Sequence, residues 1–217
     1  MRLYLSSFRV GNAPEKLVGL MNGNMRAGVI ANSCDLYPGE TRDPLLNQEV
    51  QTLNDLGFSA KPMDLRDFFQ APCELETLLT GFDLIWVRGG NPFVLRRAMR
   101  ASGFDRAVVK LLERDLVVWG GYSAGVAVLG PSLKGIELVD DPHEVPPGYD
   151  PAIIWDGLDI IHYTVAPHYK SPHPESAAID NTVQYLIDNR ILFKVLRDGE
   201  AIVINGDKEE IAGYPTA

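Results

Sequence analysis

The chain has 217 residues, of which 46% are hydrophobic and 23% are charged, proportions that are typical of a folded globular protein with an apolar core. Its net charge of -9 argues against a nucleic-acid-binding surface, because such a surface needs an excess of basic residues. The sequence shows no signal-peptide pattern and no apolar run long enough to span a membrane, so we expect a cytoplasmic protein.

The first half of the chain alternates short apolar runs with segments of helical periodicity. The apolar runs predict strands at 2–5, 27–31, 59–63, 84–87 and 116–119. The segments between them predict helices at 14–21, 44–56, 74–79, 92–100 and 104–114. Because strands that alternate with helices usually pair in parallel, we expect a mostly parallel sheet with helices on both faces. Its ligand site should lie beyond the carboxyl ends of the strands.

The last third of the chain has a different pattern. A proline-rich stretch, 139–150, predicts a loop, and residues 175–187 predict an amphipathic helix. Four apolar runs predict further strands at 158–165, 192–196, 201–204 and 210–213. We expect the second and third of these strands to flank the turn 197–200 as a hairpin. The single α/β domain, residues 1–217, would then end in an antiparallel β extension.

The most informative motif is Gly121-Tyr122-Ser123-Ala124-Gly125, which follows the fifth predicted strand. In a Gly-x-Ser-x-Gly turn between a strand and a helix, the serine takes a strained conformation that admits only small residues two positions away. The turn lifts the hydroxyl clear of the sheet, at the N-terminus of the following helix. The motif predicts Ser123 as a nucleophile, although a glycine-rich turn with an incidental serine has the same local sequence.

A serine nucleophile needs a general base, most often a histidine because its pKa lies near neutrality. His168 follows the predicted strand 158–165 at its carboxyl end and is the best candidate, with His143 second. His162 lies within that strand, where a core or edge role is expected. His143 and His173 lie among prolines and acidic residues, a pattern that indicates solvent exposure.

The base in turn needs an acidic residue that orients its ring. Asp198 lies in the predicted turn between two late strands, where aspartate is also common for purely local reasons. The residue pattern alone leaves three other candidates open, which are Asp140, Asp141 and Glu200.

An oxyanion hole requires two backbone N–H groups that point at the developing negative charge. Ala124, directly after the serine, would supply one of them from the N-terminus of the helix. Gly90 would supply the other from the turn Gly89-Gly90-Asn91, because glycine lets the backbone approach a substrate closely. The same turn also fits a simple strand-to-helix connection with Asn91 as the helix N-cap.

Three sequence blocks together resemble the peptidase E (alpha-aspartyl dipeptidase) family of serine peptidases, which also contains cyanophycinases. The blocks, in the family's order and spacing, are Gly89-Gly90-Asn91-Pro92-Phe93, Gly121-Tyr122-Ser123-Ala124-Gly125 and Pro167-His168-Tyr169. The resemblance implies a flavodoxin-like fold similar to that of class I glutamine amidotransferases, and an acyl-enzyme mechanism. It implies Ser123 as nucleophile, His168 as base, and Gly90 and Ala124 as oxyanion-hole donors. For the acid, the family's late-turn residue corresponds best to Asp198, and Asp140 or Asp141 in the loop after the serine turn is the second choice.

One departure from the family bears on the substrate. Aspartyl dipeptidases carry an arginine after the histidine block, whereas residues 169–182 of this chain contain no arginine and only Lys170 as a cation. The resemblance therefore implies a dipeptidase or exopeptidase for short peptides, with strict aspartyl specificity left open. The alternatives are a cyanophycinase-like hydrolase, an esterase and a catalytically silent binding protein.

Few other partners are expected. The two cysteines, Cys34 and Cys73, lie outside any metal-ligand spacing and are predicted to be reduced core residues. We expect no cofactor, no metal, no nucleic acid and no membrane partner, and the sequence leaves a homodimer open.

Overall fold

The β-strands of the chain fall into two sheets in the computed structural model, which describes residues 1–214 except for the side chains of Pro72 and Cys73. The strands are β1 (Arg2–Ser6), β2 (Arg26–Ile30), β3 (Ser59–Pro62), β4 (Leu84–Val87), β5 (Val118–Tyr122), β6 (Thr164–Ala166), β7 (Phe193–Val195), β8 (Ala201–Asn205) and β9 (Lys208–Ala212). The larger sheet has the order β3-β2-β4-β5-β1-β8-β9. Its first five members run parallel, and β8 is antiparallel to β1 and β9.

Helices cover both faces of the larger sheet, as the alternation of strands and helices predicts. They are α1 (Pro14–Gly19), α2 (Gly39–Asp55), α3 (Pro72–Leu79), α4 (Pro92–Ser102), α5 (Phe104–Glu113) and the short α6 (Ala124–Ala127). A seventh helix, α7 (Ser176–Asp188), packs against the smaller sheet of β6 and β7. Successive side chains of a strand point to opposite faces of the sheet, so each parallel strand contributes side chains to two hydrophobic cores, one on each face. In β1, Leu3 and Leu5 join the core beneath α4 and α5, whereas Tyr4 joins the core beneath α1 and α2.

The predicted hairpin around residues 197–200 is wrong, because β7 and β8 belong to different sheets. β7 pairs in parallel with β6, and its Phe193 and Val195 pack beside Ile179 of α7. β8 instead lies between β1 and β9, with Ala201 and Val203 buried beneath α1 and α2. The segment 197–200 therefore connects two sheets, and the antiparallel extension is made by β8 and β9.

The predicted strand 158–165 is also wrong over most of its length, since only Thr164–Ala166 forms a strand. The backbone N–H groups of Leu158 and Ile160 donate to carbonyls of Val128 and Leu129, just after α6, and not to a neighbouring strand. The apolar residues of this segment fill the core beside α6 as irregular chain. An apolar run alone does not distinguish this packing from a strand.

A buried polar cluster anchors the loop 139–150 to the carboxyl end of β2. Arg42, near the start of α2, bonds to the Asp35 carboxylate at 2.5 Å and to Asp64 at 3.0 Å, and the Tyr149 hydroxyl also donates to Asp35. Burial opposes ionisation of Asp64, but hydrogen bonds from Arg66 and neighbouring groups outweigh it and lower the pKa of Asp64 to about 2. Helix α2 begins at Gly39, five residues before the predicted start at Pro44, so Arg42 belongs to its first turn.

The cysteines are predicted to be reduced core residues. Cys34 is a free thiol that is almost fully buried, while the predicted core position of Cys73 lies outside the described side chains.

Across residues 1–214, no helix combines the length and apolar character needed to cross a lipid bilayer.

Candidate active site

The Gly-x-Ser-x-Gly motif forms a sharp turn between β5 and α6. Ser123 has φ 51° and ψ -116°, a conformation that a non-glycine residue adopts only at a cost of about 1–3 kcal/mol. A Cβ atom on Gly121 would lie 2.6 Å from the carbonyl oxygen of Val87 in β4, and one on Gly125 would lie 2.2 Å from the same atom. Both glycines are therefore required for the turn to pack against the sheet.

Trp119 supports this turn from the core. Its indole Nε1 donates to the carbonyl oxygen of Gly125 at 3.1 Å, and the side chain is fully buried. Ser123 itself is only partly buried, so its hydroxyl is accessible from the cleft above the sheet.

The turn after β4 faces the serine. Gly90 has φ 137°, and a Cβ there would lie 2.7 Å from the carbonyl oxygen of Ser33, so this position also requires glycine. Across residues 1–214, the N–H groups of Gly90 and Ala124 donate to no protein acceptor. Asn91 caps α4 as expected, because its side-chain oxygen accepts from the N–H groups of Phe93 and Val94.

His168 and Asp198 are hydrogen-bonded to each other. His168 follows β6 by two residues, is 1% exposed, and places Nδ1 2.7 Å from Oδ1 of Asp198. Its own backbone is strained, with φ 61°. An ionised carboxylate at this distance holds the ring with the proton on Nδ1, which leaves the Nε2 lone pair free to accept a proton.

Two serines that the sequence did not suggest hold this pair in place. The Ser7 hydroxyl, at the end of β1, donates to Oδ1 of Asp198 at 2.8 Å and accepts the backbone N–H of His168 at 2.8 Å. The Ser171 hydroxyl accepts the backbone N–H of Asp198 at 2.8 Å. Burial raises the pKa of Asp198, but hydrogen bonds from His168 and Ser7 outweigh it, so the net pKa lies below its usual value.

Within the described residues, none of the other three acidic candidates is hydrogen-bonded to the His168 ring. Asp141 is exposed and accepts the backbone N–H of His143, and the Glu200 carboxylate accepts the backbone N–H of Arg197 within its own turn. Asp140 lines a narrow cavity on another side of Ser123. Burial, with the negative charges of nearby glutamates, raises the pKa of Asp140 to about 8.

Two histidines are placed differently from the sequence expectation. His162 is exposed rather than part of the core or a sheet edge. His173 is partly buried and stacks on His168, with ring centroids 3.7 Å apart and an angle of 8° between the ring planes. No sequence signal distinguished His173, because its contact with His168 depends on how the loop 167–175 folds back. His143 is exposed, as expected.

Ser123, His168 and Gly90 line one cleft of about 180 Å³. Its wall includes Phe8, Tyr37, Arg88, Gly90, Ser123, His168, His173 and Glu175. Across the described residues, no hydrogen bond joins Ser123 Oγ to the His168 ring, which is common in ligand-free sites because catalytic hydrogen bonds often tighten only with substrate. A larger groove of about 650 Å³ runs along α5, but its described lining holds no serine, cysteine or histidine.

Arg88 and Glu49 form a charged pair at the base of this cleft. Arg88 Nε lies 3.7 Å from a Glu49 carboxylate oxygen, and Glu49 also accepts from Trp86 Nε1 and from the Tyr122 hydroxyl. Arg88 Nη1 donates to Cys34 Sγ and to the carbonyl oxygen of Gly89. The pair therefore fixes the turn that carries Gly90.

Comparison with known proteins agrees with the arrangement of these blocks. The pattern of peptidase family S51 matches residues 38–212, which is most of the chain. The chain belongs to peptidase family S51. This membership confirms the family resemblance drawn from the three sequence blocks and groups the chain with the serine-type peptidases.

Individual S51-type proteins are distant relatives. A peptidase E of Streptomyces coelicolor is 29% identical over 136 residues, which are 60% of this chain and 52% of that protein, so the chain spans about half its length. A Drosophila melanogaster protein named as an alpha-aspartyl dipeptidase is 24% identical over 184 residues, covering 82% of this chain and 68% of that protein. The crystal structure of a peptidase E-type protein from Listeria monocytogenes matches with a TM-score of 0.79 at 20% identity, covering 99% of this chain and 98% of that chain. These comparisons confirm the predicted α/β fold class.

Proposed function

We propose that this S51 member is a serine peptidase that cleaves short peptides, and that its 217 residues form one catalytic domain. The observation that carries the proposal is the 2.7 Å contact between His168 Nδ1 and Asp198, beside a serine held in a strained turn of the same cleft. This is the arrangement of a Ser-His-acid triad, with Ser123 as nucleophile, His168 as base and Asp198 as the acid.

The proposed reaction depends on the free lone pair on His168 Nε2, which can accept a proton. His168 accepts the Ser123 proton at Nε2 as Oγ bonds to the substrate carbonyl carbon, and Asp198 stabilises the imidazolium that forms. The imidazolium then gives its proton to the leaving amine as the C–N bond breaks, which leaves an acyl group on Ser123. A water molecule enters, gives a proton to His168 and attacks the acyl carbon, and the acid product leaves as Ser123 regains its proton.

The oxyanion formed in both steps is stabilised by the backbone N–H groups of Gly90 and Ala124. Support comes from the absence of protein acceptors for either group within residues 1–214, because both donors remain available for substrate. Removal of one such donor typically costs about 3 kcal/mol of transition-state stabilisation.

Ser7 acts as a positioning residue in this proposal. Its hydroxyl bridges the Asp198 carboxylate and the His168 backbone, so it links the two triad members that come from distant parts of the chain. A fully buried serine with both bonds at 2.8 Å restricts the rotation of the carboxylate.

The preference for short peptides rests on the size and walls of the cleft. Its volume of about 180 Å³ is below the roughly 300–1,000 Å³ of typical small-molecule pockets. The loop 139–150 begins beside Ser123, where Asp140 lines a cavity with it. The loop is held in place by Arg97, which donates to the carbonyl oxygens of Pro142 and Glu144, and by the Tyr149–Asp35 hydrogen bond. A loop that is fixed in this way limits the length of the peptide substrate that the cleft can bind.

A fluorophosphonate probe followed by mass spectrometry tests the nucleophile directly. We expect labelling of Ser123 in the wild type, no labelling of Ser123→Ala, and normal labelling of Ser59→Ala, which removes an exposed hydroxyl in β3. Labelling at another residue, or none in a folded wild type, would overturn the proposal. An unbiased screen of dipeptides, acyl esters and cyanophycin-like polymer then separates the peptidase from an esterase or a cyanophycinase-like hydrolase.

A further inference from the structure

Three side chains that line the cleft form a cluster of potential metal ligands, which we call the His-His-Glu cluster: His168, His173 and Glu175. Glu175 Oε2 lies 3.9 Å from His168 Nε2 and 3.9 Å from His173 Nδ1. The ligand atoms of all three residues lie within 4.8 Å of one another. Two of the three, His173 and Glu175, have no role in the acyl-transfer chemistry described above.

We propose that the His-His-Glu cluster binds a divalent transition metal ion, with Zn²⁺ as the ion of choice, and that binding inhibits the enzyme. Two imidazole nitrogens and one carboxylate oxygen are a common protein ligand set for Zn²⁺, and the fourth tetrahedral position would face the cleft. Nitrogen ligands favour Zn²⁺ over Mg²⁺ and Ca²⁺, which prefer oxygen ligands alone. The inhibitory part rests on the proposed function, because it requires His168 to act as the base.

The surroundings of His168 match those of a metal-binding histidine. A histidine that binds a metal usually donates its other ring N–H to a carboxylate, which fixes the tautomer and directs the free lone pair at the ion. The Asp198 carboxylate, 2.7 Å from Nδ1, does this for His168 and leaves Nε2 toward Glu175. Asp198 and Glu175 also place two negative charges near the ion.

The fit requires His173 and Glu175 to rearrange around a fixed His168. Tetrahedral Zn²⁺ with bonds of about 2.0 Å needs ligand atoms about 3.3 Å apart, so each 3.9 Å separation must shorten by about 0.6 Å. The His168 and His173 rings are nearly parallel, and His173 must tilt so that both lone pairs meet at one point. His173 and Glu175 lie in a turn before α7 and are less buried than His168, so they are the ligands that move. Binding replaces the 3.3 Å hydrogen bond that His173 Nδ1 accepts from the Glu175 backbone.

Inhibition follows from the shared lone pair. The Nε2 lone pair that would coordinate Zn²⁺ is the same pair that accepts the Ser123 proton, so a metal-bound His168 is unable to act as a base. Zn²⁺ and proton transfer therefore compete for one atom.

Calorimetric titration of ZnCl₂ into the full-length Ser123→Ala protein tests binding without any need for activity. We expect one equivalent of Zn²⁺ per chain, and at least about tenfold weaker binding when His173→Gln or Glu175→Gln is added in that background. His162→Gln, which changes an exposed histidine outside the cluster, is the matched control and should bind as tightly as the parent. Unchanged binding in both cluster variants, or weakened binding only in His162→Gln, would overturn the site.

Inhibition is measured separately on the wild type with a turnover assay. We expect Zn²⁺ to inhibit with the affinity found by calorimetry, EDTA to restore the rate, and His173→Gln to need at least about tenfold more Zn²⁺. Binding to the cluster without inhibition would refute the inhibitory role. A metal-free wild type with no hydrolase activity would refute the proposed function and, with it, the inhibition, while the calorimetric result would still decide the site.

Discussion

Replacement of Asp198 by asparagine gives the sharpest separation between the acidic candidates. The carboxylate accepts from His168 Nδ1 at 2.7 Å and from the Ser7 hydroxyl at 2.8 Å, and Asp198→Asn keeps the size of the side chain while removing its charge. An amide that turns its NH₂ group toward Nδ1 would also favour the wrong ring tautomer, with the proton on Nε2.

The size of the rate loss follows from the attraction between the imidazolium and the Asp198 carboxylate, which the substitution removes. With the ring and carboxylate charges about 4 Å apart and an effective dielectric constant of about 20, their attraction is about 4 kcal/mol. Each 1.36 kcal/mol corresponds to a factor of ten in rate, so Asp198→Asn should lower kcat by about a thousandfold. Asp140→Asn should change kcat by less than about threefold. The raised pKa of Asp140, about 8, keeps that carboxyl mostly protonated at neutral pH, and asparagine resembles the neutral acid.

Steady-state kinetics on a cleaved dipeptide at pH 7 measure both variants, and thermal unfolding establishes that each is folded. A kcat for Asp198→Asn within tenfold of the wild type would refute the role assigned to this carboxylate. A thousandfold loss in Asp140→Asn would assign the orienting role to Asp140 instead.

Three further predictions concern the residues around the triad and the fold that carries them. Ser7→Ala removes one hydrogen bond to the Asp198 carboxylate, worth about 1.5–3 kcal/mol, so kcat should fall at least about tenfold with KM unchanged in the same assay. Gly125→Ala places a methyl group 2.2 Å from a carbonyl oxygen and should lower stability by about 1–3 kcal/mol in urea unfolding, while Gly19→Ala, which has open space, should not. The pKa of Asp64 lies below its usual 3.8, at about 2, so its ionised form stabilises the fold by about 2 kcal/mol above pH 4, and this is lost as the pH falls toward 2. Asp64→Asn should therefore be less stable than the wild type at pH 7 and nearly equal to it at pH 2.

The parallel part of the fold and the parts of the site built from neighbouring residues were predictable from sequence. The elbow at Ser123, its two small flanking residues and the Asn91 cap depend on geometry within a few residues, so a short motif carries the whole signal. The strands that alternate with helices are likewise visible as apolar runs. Their parallel pairing follows because a crossover helix returns the chain to the same edge.

The contacts that complete the site join distant segments and have no local signature. Ser7 meets Asp198 across 191 positions of sequence, and only the insertion of β8 beside β1 brings the end of β1 to the loop after β7. The sequence of residues 192–204 is equally compatible with a hairpin. Burial of β7 against α7, rather than the residues of the turn, therefore determines that β7 pairs with β6.

What the amino-acid order alone determines here is therefore the strained serine, the glycines that admit it and the alternation of strands and helices, because each depends on steric limits along a short stretch of backbone. The hydrogen bond between Asp198 and His168, the stacking of His173 on His168 and the bridge through Ser7 depend instead on the tertiary structure, because they require distant segments to share one buried volume.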